Sequence, residues 1–449
     1  MRRTAPEPGA VRLSPGCAGS TVPSVEVRTE LSMPDEIDKY IGARIAERRA
    51  DRGLTQQGLA MRAHVSKSLL SKVECGQRPA SPELVAACAR GLGVMPADLL
   101  GQPYLDELRR DQLDLLIQPI REALNVHNLG HDPSVRPRPL EQLADDRDRI
   151  CLLVHETDLR KAAADLPALM VEAIAVAHAT GDPRAWALLG GLDRVAFNVA
   201  AKFGFHDLSL LAAGRAEYAC ERAQDPSLAA MAKWMHAIAC LRSGEFATGK
   251  RLHAMGVRYV EDAAEGLERD AVMGQMNLAA ALLDVRCGEA DAARGHLEEA
   301  ERFARRTGDV TPARWLGSDP PEAVAPDRIG FRERGVHWYV FGPTNVAAHR
   351  ISALADQNDH AQAVRVGRSL KIPQGWPAMR AGQVHIDLAR SHLWTGQDDA
   401  AFRSLLDAQR VAPQQTRYHP QVRETVVQLR KRERQSRGTL AHFAEWVGV

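Results

Sequence analysis

Two turn glycines far apart in the chain carry the same neighbours. Gly288 has Ala281 seven residues before it and Ala293, Leu297 and Ala300 five, nine and twelve after it; Gly396 has Ala389, Ala401, Leu405 and Ala408 at those same offsets. Small and medium residues at fixed distances on both sides of a turn are what two antiparallel helices need to approach closely. A chain written this way folds as stacked helix pairs, each burying its apolar face on the next. Gly244, with Ala237, Gly249 and Gly256, is a looser copy; Gly204, with Ser209, Ala213 and Ala216, and Asn358, with Ala363, are looser still. The pattern predicts five or more degenerate repeats from about residue 184 to 413, with further helix pairs before and after. The helical repeat domain then covers residues 141–434, with a last helix at 435–449. Aromatics are only 5% of the chain, against 45% hydrophobic residues in all. With so many Ala, Leu, Arg and Glu, the composition favours helix over strand, and a generic Ala-rich bundle is the alternative it allows.

At 449 residues the chain exceeds one ordinary hydrophobic core. Its net charge of +1 creates no global field toward nucleic acid or an anionic membrane, so any such contact needs a local patch. Seven widely spaced cysteines with no C-x-x-C pair suit reduced thiols in a cytoplasm. No signal-peptide core follows Met1, and no run approaches the roughly 18 uninterrupted apolar residues of a spanning helix. The metalloprotease, nucleophile-elbow, phosphate-loop and dinucleotide-turn motifs are all missing, which argues against an enzyme. No cofactor is expected. His127 and His131 form a loop pair without supporting carboxylates or thiols, so no metal is expected either.

Residues 1–34 hold Pro6, Pro8, Pro15, Pro23 and Pro34 and no helical period, a composition that predicts a disordered tail; Met33 is an alternative start. Five short helices are then predicted over residues 35–101. Ile37, Ile41 and Ile45 line the first, which stops at Gly53; Leu59 and Ala60 mark the second, and Leu70 and Val73 the third. The fourth opens with Ser81, Pro82 and Glu83, a cap, a first-turn proline and an acidic first turn, and runs to about Leu92. The fifth spans 96–100. Residues 102–140 read as a connector helix, with Leu105, Leu108, Leu115 and Leu116 as its apolar positions, and a hinge from Gly130 to Pro139.

The segment Leu54-Thr55-Gln56-Gln57-Gly58-Leu59-Ala60, followed by Ala63-His64-Val65-Ser66-Lys67-Ser68-Leu69-Leu70-Ser71-Lys72-Val73-Glu74-Cys75-Gly76, resembles the lambda-repressor-like (xenobiotic-response-element) regulators over about 65 residues. The resemblance implies that the third helix enters the major groove of double-stranded DNA, with Lys67, Ser68 and Lys72 reading bases. It implies phosphate contacts from Gln56, at the positive end of the second helix, and from Ser66 and Arg78. Arg49 and Glu74 correspond to the family's structural ion pair. Gly58 departs from the pattern, where a polar helix former is usual. One such unit makes few base contacts, so a homodimer on two half-sites is expected.

The repeat stretch in turn resembles tetratricopeptide repeats, and the combination resembles the peptide-sensing regulators of Gram-positive bacteria and actinobacterial relatives. The expected fold is therefore all-α: a five-helix repressor-like DNA-binding domain followed by an α-solenoid of degenerate tetratricopeptide-like helix pairs. By that resemblance Asn198, Asn277 and Asn345 would grip a peptide backbone, an amide being donor and acceptor at once, supplemented by Arg194, Trp234 and Tyr339. A peptide, a small molecule or a protein are the effector classes considered. A groove lined by Asn and aromatics would favour a sensed effector; one lined by Arg or Glu clusters would favour a protein-scaffold role. Residues 307–344, rich in proline and aromatics, read as a lid or plug, or as an insertion packed outside, with Thr344 capping the helix that follows.

Overall fold

The computed structural model describes residues 40–102, 107–130, 132–263, 265–309, 339–432 and 438–449. The expected tail, Ile37, Leu105, His131 and residues 310–338 of the lid reading lie outside them. Among the described residues there are helices and no strand.

The head has five helices, α1 Ile41–Asp51, α2 Gln56–Arg62, α3 Lys67–Glu74, α4 Pro82–Leu92 and α5 Pro96–Leu100. Their boundaries follow local chemistry. The side chains of Thr55, Ser66 and Ser81 accept from the backbone N–H of Gly58, Leu69 and Leu84 at 3.0, 3.1 and 3.2 Å, capping α2, α3 and α4. Ile45, Leu59, Leu70, Val73, Leu92 and Leu99 fill the core between them. Helix α1 crosses α3 so closely that a Cβ on Gly42 would stand inside the carbonyl of Val73, which is why a side chain is missing there. The ends of α1 and α3 are tied by charge. Arg49 donates from Nε to Glu74 Oε1 at 2.7 Å and from Nη2 to Oε2 at 2.9 Å, and a third donor reaches the Leu54 carbonyl at 2.9 Å.

Helix α6, Glu107–Val126, is no free connector. Leu113, Ile117, Ile120 and Leu124 are buried in the largest core, against α8, α9 and α10, while Leu115 is 76% exposed. The apolar face runs at i, i+4, i+7 and i+11 from Leu113; of the positions expected, Leu116 packs half-buried against this core, Leu115 faces solvent, and the Leu108 side chain lies outside the described residues. Helices α7 Leu140–His155 and α8 Leu159–Thr180 follow, and then five helix pairs: α9 Pro183–Phe203 with α10 His206–Arg222, α11 Pro226–Ser243 with α12 Phe246–Glu261, α13 Leu267–Arg286 with α14 Ala290–Thr307, α15 Pro343–Asp356 with α16 His360–Ser369, and α17 Ala378–Trp394 with α18 Asp398–Val411. Each pair turns at Gly204, Gly244, Gly288, Asn358 or Gly396, and all five sit at positive φ, where glycine and asparagine cost least. The offset residues behave as the spacing requires: Ala281, Ala293 and Ala300, and Ala389, Ala401, Leu405 and Ala408, are at most 2% exposed. Helix α8 is the one described helix long and apolar enough to cross a membrane; half of that stretch is buried, between α7 and α9.

The array closes on itself. Helices α19 Pro413–Tyr418, α20 Pro420–Arg432 and α21 Gly438–Val447 complete it, and α19 returns to the first helices. There Tyr418 accepts from Arg160 at 3.1 Å and meets Phe203 edge to face, while Gln414 bonds the Arg160 amide and Asp158. Thr344 does not cap α15. Pro343 occupies the first turn, so the capping groups come from across the chain, where Asp309 accepts from the Thr344 amide at 2.9 Å and its hydroxyl at 2.6 Å. His127 does have a carboxylate, Asp193 on α9, 2.9 Å away and fully buried with it.

Three stability outcomes follow from these contacts. Arg49→Met, which strands the Glu74 carboxylate, is expected to cost about 3–5 kcal/mol in denaturant melts. At Gly58 a Cβ would make only ordinary contacts, 3.4 Å and beyond, so Gly58→Ala should gain about 0.5–1 kcal/mol. Burial holds His206, His253, His349, His360, His385, His392 and His419 below the usual imidazole value. The unfolded chain therefore binds their protons first as pH falls. Seven such groups outnumber the four that are held high and act in the opposite sense, His127 and the buried carboxyls Asp193, Asp387 and Glu424. These histidines should make stability measured in urea fall as pH drops from about 6.5 toward about 4.

Candidate nucleic-acid interface and groove

Helix α3 divides by its period into two faces. Leu70, Val73 and Glu74 are buried, whereas Lys67, Ser68 and Lys72 are exposed, because residues three and four apart share one face of a helix, so each set lines its own side. Ser71, a turn beyond Lys67, shares that face half-buried and was missed, although the i+4 spacing marks it. Past the helix, the amides of Gln77 and Arg78 both donate to the Lys72 carbonyl, at 2.8 and 3.2 Å. That fixes where Arg78 leaves the helix, and its side chain is exposed. Ser66 is exposed too, but its oxygen is engaged as the α3 cap. Gln56 departs from expectation: its amide donates to Glu74 Oε2 at 2.8 Å, completing the ion pair instead of facing outward. Two cations with two serines on one exposed helical face, backed by a rigid core, can reach base edges and backbone phosphates.

The opposite side of the head is docked. A Cβ on the Gly244 turn of α11 would lie 3.1 Å from Ala86 Cβ and 3.5 Å from Pro96 Cγ, so α4 and α5 sit on bare backbone there. His206 Nε2 lies 2.8 Å from Gln102 Oε1, the Ile41 amide donates to Glu424 at 2.9 Å, and the Lys431 ammonium stands 3.5 Å above the Tyr40 ring. The head thereby roofs the groove and leaves a cavity of about 340 Å³ bounded by both.

The cavity wall obeys the repeat register. Two residues before the five pair turns stand Lys202, Arg242, Arg286, Asp356 and Trp394; six before stand Asn198, Ile238, Leu282, Ser352 and Arg390. All ten line the space. Of the ten only Asn198 was singled out in the sequence; the five charged ones, Lys202, Arg242, Arg286, Asp356 and Arg390, each look there like an ordinary surface charge. The turn ruler, read two and six residues upstream, would have found them.

The asparagine ladder does not form. Asn345 is fully buried and donates to the Val340 carbonyl at 2.7 Å, with Gln275 at 3.3 Å. Asn277 donates to Met273 and lies 2.8 Å from His296, which occupies both ends of its amide. Asn198 reaches the cavity, but its amide donates to the Arg194 carbonyl. Arg194 is 6% exposed, bonded to the Cys151 sulfur and set 5.3 Å from the centre of the Tyr339 ring, which packs on Trp234 at 5.1 Å. Of this second trio only Trp234 meets the cavity.

Comparison with known proteins bears on the head. Residues 41–100 match the family described as Helix-turn-helix domain. Multiprotein-bridging factor 1 of Eremothecium gossypii is similar over 76 residues at 30% identity, a stretch covering 17% of this chain and 50% of that relative. The similarity thus reaches half that relative's length. Residues 41–100 form a helix-turn-helix domain, a DNA-binding module, joined to a larger helical array.

Proposed function

We propose that this protein is a sequence-specific, dimeric transcriptional regulator of the cytoplasm, acting by binding and not by catalysis. In this reading α3 reads double-stranded DNA through Lys67, Ser68 and Lys72, and the repeats sense an effector and join two copies. The observation that carries it is the pairing of an exposed polar α3 face with a docked rear surface in one helix-turn-helix domain.

The alternative, a scaffold whose repeats hold a partner protein, draws on the cluster of arginines along the groove. Against it stands the docked head, which covers part of the groove and leaves a cavity of about 340 Å³, within the range of small-molecule sites. The peptide variant of the effector reading loses its main support, because Asn277 and Asn345 do not line the cavity: both ends of the Asn277 amide are bonded internally, and Asn345 is fully buried with its NH2 group on Val340 and Gln275.

Genomic DNA recovered on the purified full chain is compared with that recovered on the Lys67→Ala, Lys72→Ala double variant. The wild type should enrich a defined half-site pair and the variant should not; equal enrichment overturns the reading. With about four phosphates neutralised per protomer, log affinity should fall with log salt at a slope of about −7. A flat response speaks against it.

A further inference from the structure

The cavity between head and repeats carries more positive charge than its own walls neutralise. Arg286 and Arg390 both bond Asp356, at 3.1 and 2.9 Å. Glu424 is taken by the Ile41 amide and Gln428, and Asp387 by Ser352 and Gln383. Among the described residues this leaves Lys202, at the end of α9, Arg242, at the end of α11, and Arg380, in the first turn of α17, without a carboxylate in bonding distance. Arg242 Nη1 and Arg380 Nε are buried with no hydrogen-bond partner in the protein. A cation with no carboxylate and little water about it is costly, and three half-buried ones facing one space are costlier still. Their mutual influence shows in their acidity. Burial, then Arg242 and Arg380, bring the Lys202 ammonium down to about 7, and burial, then Arg286 and Arg380, bring Arg242 down to about 10. Next to the cations, the wall is apolar, with Trp234, Ile238, Phe197 and Met379.

We propose that this cavity binds a small anionic molecule, its carboxylate or phosphate group held by Lys202, Arg242 and Arg380 and its apolar body against Trp234, Ile238 and Met379. The ligand supplies the charge the walls lack. Because Ala86, Pro96 and Gln102 of the head form part of the same enclosure, occupancy and head placement are thermodynamically linked. The proposal deepens the effector-sensing reading above and rests on it for that consequence.

The test is calorimetric titration and thermal melting of the full chain at fixed ionic strength, with phenylacetate, phenyl phosphate and the uncharged phenylacetamide as probes. One or both anions should bind saturably, with phenylacetamide about tenfold weaker or worse, and the stronger of the two anions identifies the head group. Arg380→Gln and Lys202→Gln should each weaken anion binding about tenfold while raising the melting temperature of the ligand-free protein, since each removes a repulsion. Should one variant fail to fold, the other carries the comparison. Arg410→Gln, an exposed cation paired with Asp407 outside the cavity, should bind as wild type. Absence of saturable binding by either anion, equal binding of the amide, or wild-type affinity in the glutamine variants overturns the proposal. None of these readouts involves DNA, so a failure here and a failure of operator recognition are separate results.

Discussion

Helices α4 and α5 rest on the bare Gly244 turn of α11, and the two halves of the protein depend on that seat. A side chain at this turn would push against Ala86, and without the close approach the groove would open to water. The seat is pinned on either side by Gln102 with His206 and by Ile41 with Glu424. It leaves α3 outward, so the same placement that closes the groove keeps the polar reading face in solvent.

Enclosure changes what the groove residues mean. On an open concave surface Lys202, Arg242 and Arg380 would be solvated charges of little consequence. Beneath the head they share a low-dielectric space, where their repulsion is felt more strongly. The chain answers part of this internally, with Asp356 between Arg286 and Arg390, and leaves the rest unanswered. Sites that sacrifice stability in this way are usually functional. An arrangement in which a ligand and the head share one enclosure also gives a direct route from binding to DNA recognition, with no relay through the solenoid.

Much of the fold was legible because it is set locally. Ser81, Pro82 and Glu83 announce the start of α4, and Gly288 and Gly396, with their alanines, announce the helix pairs, since caps, turns and small-residue spacing act within a few residues. The outward face of α3 was legible for the same reason. The errors share a cause. Gln56 turned to Glu74, Asn345 to Val340 and Gln275, and Asn277 to His296; an amide offers the same donors and acceptors to a ligand or to its neighbours. The face of α6 was misjudged because Leu115 and Ile117 differ in position on the helix and hardly in character.

The amino-acid sequence by itself determined the helical class, the five-helix head, the positions of the pair turns and the side of α3 that meets solvent, because hydrophobic period, capping and backbone preference are properties of short segments. Only the tertiary structure decided that α19 returns to α8 and α9, that the head roofs the groove, and that Lys202, Arg242 and Arg380 meet inside it. Those three lie on helices far apart in the chain, and the sign and strength of a charge's effect depend on its neighbours in space and on the water they exclude.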